Sequence, residues 1–277
     1  MTVFKALTEA DVAEYRLNTE FLRYLEAFRS ERSLEPHQVR VLDWGCGRGQ
    51  ATIVLERLGY NAMGADIDGE SILNGRAFYR DPEIAAQRLR ILDAQGRLDV
   101  PDETFDFVFS ETVLEHVADL DAAVRELSRV MTTPSASVHV FPPRRGIIED
   151  HLRMPFIHWL PKNQLRKLAL FPYVALGIEP KWVKEGVRNK VRRYYDYSLA
   201  HTFYRSPVEL RRTFERHGFD VEFAAARHPK VINHPVLGRV AGFPPLQRML
   251  NVCVNAHLDP RESDRPADPI PLQWRSG

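Results

Sequence analysis

The chain has 277 residues, of which 44% are hydrophobic, and a formal net charge of +1. That length and composition suffice for one large core and do not require two domains. Its two cysteines, Cys46 and Cys253, form no disulfide or metal-ligand pattern, the N-terminus lacks a signal-peptide core, and no uncharged span of 18 residues occurs, which excludes a disulfide scaffold and a membrane-spanning helix and leads us to expect a cytoplasmic protein.

From the N-terminus, Val12, Tyr15, Leu22, Leu25 and Phe28 recur at helical spacing, and the rhythm predicts a helix over residues 8–30 that packs above a crevice. The apolar run Val39 to Leu42 then enters Asp43-Trp44-Gly45-Cys46-Gly47-Arg48-Gly49, followed by the helical stretch Ala51 to Leu58. This is a strand, a glycine loop and a helix start, in which glycines permit positive φ and a close approach of ligand to backbone. A dinucleotide loop would place Gly or Ala at position 50, where the chain has Gln50, and no Lys-Ser/Thr pair follows as in a phosphate-binding loop. The spacing favours another adenosyl ligand. Cys46 reads as a small residue tolerated in the turn, not as a nucleophile.

A second strand, Asn61 to Asp66, ends in a carboxylate 21 residues after Gly45, where an acid can take both hydroxyls of a ribose. A third, Leu89 to Leu92, ends at Asp93-Ala94. The fourth, Phe105 to Phe109, ends at Ser110-Glu111-Thr112-Val113-Leu114-Glu115-His116-Val117. Helical spacing from Leu120 to Met131 stops at Thr132-Thr133-Pro134, and a fifth strand is expected over Ser137 to Phe141. Ser206-Pro207 opens a helix that closes at His217-Gly218, Phe219 to Ala224 makes a sixth strand, a final strand lies within Met249 to Ala256, and the proline-rich tail from Asp259 to Gly277 is expected to be disordered.

In this order, the acidic-x-Gly-x-Gly-x-Gly loop (Asp43 to Gly49), Gly-x-Asp-Ile (Gly64 to Ile67), Asp93-Ala94, and Phe-Asp-x-Val followed by Leu-Glu-His-Val (Phe105 to Val117) make residues 39–141 resemble the class I S-adenosylmethionine-dependent methyltransferases, in the branch typified by ubiquinone and menaquinone biosynthesis. The resemblance implies S-adenosyl-L-methionine as cofactor. Asp43, Gly45, Gly47 and Gly49 would hold its methionine end, Asp66 the ribose, Asp93 and Ala94 the adenine, and Glu111 the methionyl group or the substrate edge, with Ile67 also among the cofactor-binding residues. The implied fold is an α/β, Rossmann-like doubly wound, mostly parallel seven-stranded sheet with a helical insertion after strand five. The expected layout is an N-terminal helical cap over 1–38, a cofactor-binding core over 39–145, a helical substrate or lid insertion over 146–205, the rest of the core over 206–258, and the tail over 259–277.

The insertion is longer than the few residues usual between elements of an α/β unit. Residues 151–205 hold eleven Lys and Arg against three acids, a net +8 in a chain whose remainder sums to −7. Ten aromatic residues, from Phe156 to Tyr204, are interleaved. Basic plus aromatic composition fits an anionic acceptor, an anionic membrane surface or nucleic acid; the plainer alternative is a helical insertion with a solvated basic face and an aromatic core side. Lys184, Arg188 and Arg192, spaced by four, are expected to share one helical face. Nucleic acid is disfavoured, because base amino-methylases carry an Asp/Asn-Pro-Pro-aromatic motif after strand four, where this chain has Ser110-Glu111-Thr112-Val113. Neither the Phe141 to Arg145 turn nor the Phe219 to His228 region offers an acidic cluster, so no metal is expected.

Displacing a methyl group from a sulfonium needs alignment and exclusion of water above all, and a base only where the acceptor arrives protonated. Candidate bases are His116, Glu149, His151 and His158. The expected activity is O-methylation of a small or lipid-linked, anionic metabolite, with peripheral contact to the inner membrane face as a corollary. The alternatives are a non-catalytic scaffold that keeps the cofactor pocket and, disfavoured by Gln50, a nucleotide-dependent oxidoreductase.

Overall fold

The computed structural model describes residues 6–142, 144 and 146–223, together with the backbone of 252–258. The expected tail over 259–277 and the end of the sixth strand at Ala224 lie outside the described residues, as do the first residues of the final strand.

Five parallel strands run in the order β3 (Leu89–Ile91), β2 (Asn61–Asp66), β1 (Arg40–Trp44), β4 (Phe105–Glu111), β5 (Met131–Phe141). The sheet continues through β7 (Val252–Leu258) to β6 (Phe219–Phe223), both pairings antiparallel. From β1 the chain moves outward to β2 and β3, then returns to the other side for β4 and β5. The strand order therefore reverses between β1 and β4, and their carboxyl ends border a crevice.

Both faces of the sheet are covered, which is why β1 is almost continuously buried. On one face α2 (Thr19–Glu31) lays Phe21, Leu25 and Phe28 against Val41, Phe107 and Val138, with the Phe21 and Phe109 rings stacked at 4.2 Å. On the other face α6 (Leu120–Val130) buries Leu120, Val124, Leu127 and Val130 beside Leu42 and Val108. The i, i+4, i+7 spacing of those α6 residues makes the stripe, and Asp119 caps it by accepting from Ala122 N at 2.9 Å.

The structure departs from the periodicity at two places. The expected helix over 8–30 is two helices, α1 (Glu9–Glu14) and α2, broken at Tyr15. Thr8 caps the first in a capping box, and Asn18 caps the second by accepting from Glu20 N at 2.9 Å; two cap residues ten apart override the shared apolar rhythm. Pro134 does not precede β5 but lies within it, where the register with β4 shifts between Phe105 and Phe107. A missing N–H is tolerated at such an irregularity.

Between β5 and α9 (Pro207–Arg216) stand α7 (Gln164–Ala175) and α8 (Val187–Ala200), capped by Asn163 and preceded by Gly186. They enclose a separate apolar cluster with Leu152, Met154, Leu170, Val191 and Tyr194 at its centre. Lys184 precedes α8 and is not on its face; only Arg188 and Arg192 share the i, i+4 row.

Candidate functional site

The loop after β1 is fixed from β2. Gly45 N and Cys46 N both donate to Ala65 O, at 2.7 and 3.1 Å, and Gly47 N donates to Asp66 Oδ2 at 2.7 Å. Gly45 and Gly47 have φ of 83° and 55°, a region that admits glycine at little cost. A side chain at Gly45 would collide with Val113, whereas a Cβ at Gly47 would meet nothing within 4 Å. The loop thus packs tightly at one glycine and presents bare backbone to open space at the other. Gly49 ends the loop as the cap of α3 (Gln50–Arg57).

A cavity of about 330 Å³ lies at this switch point, lined among others by Tyr15, Asp43, Gly45, Gln50, Phe109 and Glu111. Asp43 is buried and accepts from Thr52 Oγ1 at 3.0 Å. Burial, with Asp66 and Glu111 nearby, pushes its carboxyl up to about 7. Glu111 Oε1 accepts from Asn18 Nδ2 at 2.8 Å, which ties the start of α2 to the rim. Three carboxylates around a glycine loop suit a ligand that carries positive charge and hydroxyl donors. Burial also raises the Cys46 thiol well above its usual range, which keeps it protonated and inert.

The sign of the Asp43 shift gives a testable result. Its folded pKa lies above its unfolded value, so between about pH 4 and pH 7 the folded state holds a proton that the unfolded state has lost, and stability falls as pH rises through that window. Asp43→Asn is therefore expected to raise the melting temperature of the ligand-free protein at about pH 8, to leave it little changed at about pH 4, and to weaken binding of a cationic ligand. Thermal unfolding at the two pH values checks it; a destabilised variant at the higher pH would contradict the assignment.

Asp43, Gly45 and Glu111 line the cavity. Asp66 and Gly47 meet directly, whereas Ile67, Asp93 and Ala94 are exposed at the neighbouring strand ends. Asp93 Oδ1 accepts from Gln95 N and Arg97 N at 2.9 and 2.8 Å, shaping its own turn. Tyr15 and Gln50 were not singled out in the sequence as cavity residues; Tyr15 reads there as one position of an apolar stripe.

The candidate bases converge on a second cluster, assembled from the turn after β4, the loop after β5 and the stretch after α8. Glu149, 3% exposed, accepts at Oε1 from Tyr204 Oη (2.5 Å) and pairs there with His151 Nδ1 (3.1 Å), while Oε2 accepts from Leu152 N. The His151 and His116 rings stand edge to face at 4.7 Å, and His158 lies against Tyr204 at 5.1 Å. His116 Nδ1 meets the His201 carbonyl. Burial would raise Glu149, but hydrogen bonds from His151, Tyr204 and Leu152 outweigh it and hold the carboxyl below its ordinary value. Burial likewise opposes a charge on His151, yet the hydrogen bond and charge of Glu149 hold its pKa above the usual one. His116 and His158 are both lowered by burial. Glu115, 1% exposed, is pushed up to about 7 by burial. Arg205 locks the assembly by donating to the carbonyls of Leu114, Val117 and Ala118 at 3.0, 2.6 and 2.8 Å. Glu115, Tyr204 and His201 are the residues that sequence reasoning missed, although Glu115 stands inside the Leu-Glu-His-Val signature. Glu115, His116 and His151 each bring one potential ligand atom within 4.8 Å of the others, because the fold joins two loops whose histidines are 35 residues apart in the chain.

Residues 42–134 match the family model described as a methyltransferase domain. The ubiquinone biosynthesis O-methyltransferase of Rhizobium johnstonii is 30% identical over 162 residues, 54% of this chain and 63% of that protein. The malonyl-[acyl-carrier protein] O-methyltransferase of Halorhodospira halophila is 38% identical over 108 residues, 38% of this chain and 36% of that protein. The chain thus spans less than two thirds of the length of these curated relatives. An S-adenosylmethionine-dependent methyltransferase from Mesorhizobium loti superposes with a TM-score of 0.48 at 18% identity, over 84% of this chain and 96% of that one. On the family model and the curated relatives, residues 42–134 carry a methyltransferase domain of the class I, S-adenosylmethionine-dependent kind, with S-adenosylmethionine as its cofactor.

Proposed function

We propose that the chain methylates an oxygen of a small or lipid-linked metabolite, bound between the cofactor cleft and residues 146–205 acting as a substrate-binding cover. The observation that carries this reading is the network that half-buried His151 and Tyr204 make with the buried Glu149 beside the turn that leaves β4, since β4 also ends in the cleft residue Glu111. The O-methyltransferases named above support oxygen as the acceptor atom. Bound S-adenosylmethionine supplies a methyl group on a sulfonium sulfur. Asp43, Gly45, Gly47 and Gly49 are assigned to its methionine end, Asp66 with Ile67 to the ribose, Asp93 and Ala94 to the adenine, and Glu111 to the methionyl side. Glu149 holds His151 through Nδ1, leaving Nε2 as the atom that takes a proton from an acceptor hydroxyl. A methyl-donor assay against extracted metabolites tests the activity. Calorimetry with S-adenosylmethionine and with NADH separates it from the oxidoreductase alternative, and cofactor binding without any transfer would favour the scaffold.

A lipid-linked acceptor draws support from the surface of α7. Leu165, Leu168, Phe171 and Leu176 are all exposed, Leu168 and Leu176 at 72% and 75%, and Trp159 and Trp182 are half exposed. Large exposed apolar patches beside cations suit an anionic membrane surface. The folded protein spends much of the segment's charge internally. Lys190 pairs with Glu179 and Arg193 with Glu185, while Lys162, Arg166 and Arg205 donate to backbone carbonyls. Lys184, Arg188 and Arg192 remain exposed. Reversing these three to Glu takes residues 151–205 from +8 to +2. At about 1 kcal/mol per residue near an anionic surface, binding to phosphatidylserine vesicles at low salt is expected to be largely lost, with S-adenosylmethionine affinity within about twofold of the parent. A parent protein that ignores such vesicles would remove the membrane from this reading.

A further inference from the structure

β4 ends at Glu111, and the next residue leaves the strand abruptly. Thr112 has φ of 54°, a left-handed conformation that a β-branched side chain adopts only at a cost. Along a continuing strand Phe109 and Glu111 would share one side and residue 112 would take the other. Instead Thr112 lines the same cavity as both. The kink is held from two directions: Thr112 N donates to Val140 O at 2.8 Å, and Val113 fills the space that a side chain at Gly45 would need. Local contacts do little to repay the strain. Thr112 is exposed, so packing contributes little, and its hydroxyl donates to the Glu111 carbonyl at 2.7 Å, a bond that water could replace. Glycine or asparagine would occupy this conformation more cheaply. A strained residue fixed by its surroundings at a cleft points to a use for its side chain.

Having given its proton to the Glu111 carbonyl, the hydroxyl keeps lone pairs for a ligand. An acceptor oxygen on the same cavity wall as the Glu111 carboxylate suits a cation that carries several N–H donors. We propose that Thr112 Oγ1 and the Glu111 carboxylate together bind the α-ammonium group of the cofactor's methionine end, each accepting one of its N–H bonds. This deepens the assignment of Glu111 to the methionyl side and rests on it. The left-handed turn brings a hydroxyl to the wall where the carboxylate already stands, and so lets the cleft read the amino-acid end of the methyl donor.

Calorimetry with S-adenosylmethionine, S-adenosylhomocysteine and 5′-methylthioadenosine tests it, the last having the adenosine and the sulfur but no amino-acid end. Thr112→Val keeps the β-branch and the strain and removes the hydroxyl. It is expected to weaken the first two ligands by about 5- to 20-fold, the loss of one hydrogen bond to a charged group in an open cleft, and to leave 5′-methylthioadenosine within about twofold of the parent. Thr112→Ser keeps the hydroxyl and should stay within about threefold of the parent for all three. Thr112→Gly relieves the strain, so it should match Thr112→Val in affinity and melt at a higher temperature than that variant. Unaltered affinity for the first two ligands in Thr112→Val would overturn the proposal, and so would an equal loss for all three, which would mark a distorted cleft. Glu111→Gln keeps the two readings apart. If it weakens S-adenosylmethionine while Thr112→Val does not, only the role of Thr112 falls; if neither variant alters binding, the assignment of Glu111 to the methionyl side falls with it.

Discussion

Asp66→Ala is expected to weaken S-adenosylmethionine binding by about 2–3 kcal/mol, roughly 30- to 150-fold, through loss of a charged acceptor for ribose hydroxyls. The structure adds a second effect that the sequence did not suggest. Asp66 Oδ2 accepts from Gly47 N at 2.7 Å and Oδ1 from Asp68 N at 2.8 Å. The same carboxylate therefore fastens the glycine loop to β2 and shapes the entry to α4 (Gly69–Arg76). Losing those acceptors is expected to lower ligand-free stability by about 1–2 kcal/mol, a fall in melting temperature of a few degrees. Asp66→Asn keeps a backbone acceptor and should recover stability more than affinity. Calorimetry and thermal unfolding on both variants check this. Unaltered affinity in Asp66→Ala would take Asp66 out of the cofactor site.

Glu149→Ala is expected to have the largest effect on stability, about 3–5 kcal/mol, because it strips partners at once from His151, from Tyr204 and from the Leu152 N–H in a buried setting. Denaturant unfolding measures the loss. Glu149→Gln retains an oxygen acceptor and removes the charge. It should unfold less readily than the alanine variant yet lower the turnover of the acceptor, with a smaller change in KM, if Glu149 acts by orienting and polarising His151. Full stability in the alanine variant would mean that the network contributes nothing to holding the two loops together.

The glycine loop and Asp66 were legible because their information is local: positive φ at Gly45 and Gly47 and the strand-to-acid spacing are written in short stretches of chain. The break at Tyr15 was not, since the apolar rhythm of Val12, Tyr15, Leu22 and Leu25 runs through it, and only the caps at Thr8 and Asn18 mark two helices. Pro134 misled for a related reason. Its missing N–H stops a helix but is harmless at a strand irregularity, and the choice between them depends on the register with β4. Glu149, His151 and His116 were legible as residue types near strand ends. Their joint geometry was not, because Tyr204 and His201 arrive from more than 45 residues away. The net +8 of residues 151–205 was legible as a sum; which cations face solvent depends on partners such as Glu179 and Glu185, found only after folding.

The amide of Asn18 has two simultaneous engagements: its oxygen begins α2 by accepting from Glu20 N, and its nitrogen donates to Glu111 Oε1 at the rim of the cavity. A ligand that competes for Glu111 must alter the free energy of keeping that first helical turn in place. By thermodynamic reciprocity, whatever anchors or frees the turn must change the ligand's affinity by the same factor. One side chain thereby makes the N-terminal helix a gauge of cleft occupancy: amide exchange or proteolytic cleavage near residues 15–20 should report loading from outside the cavity, without any probe inside it.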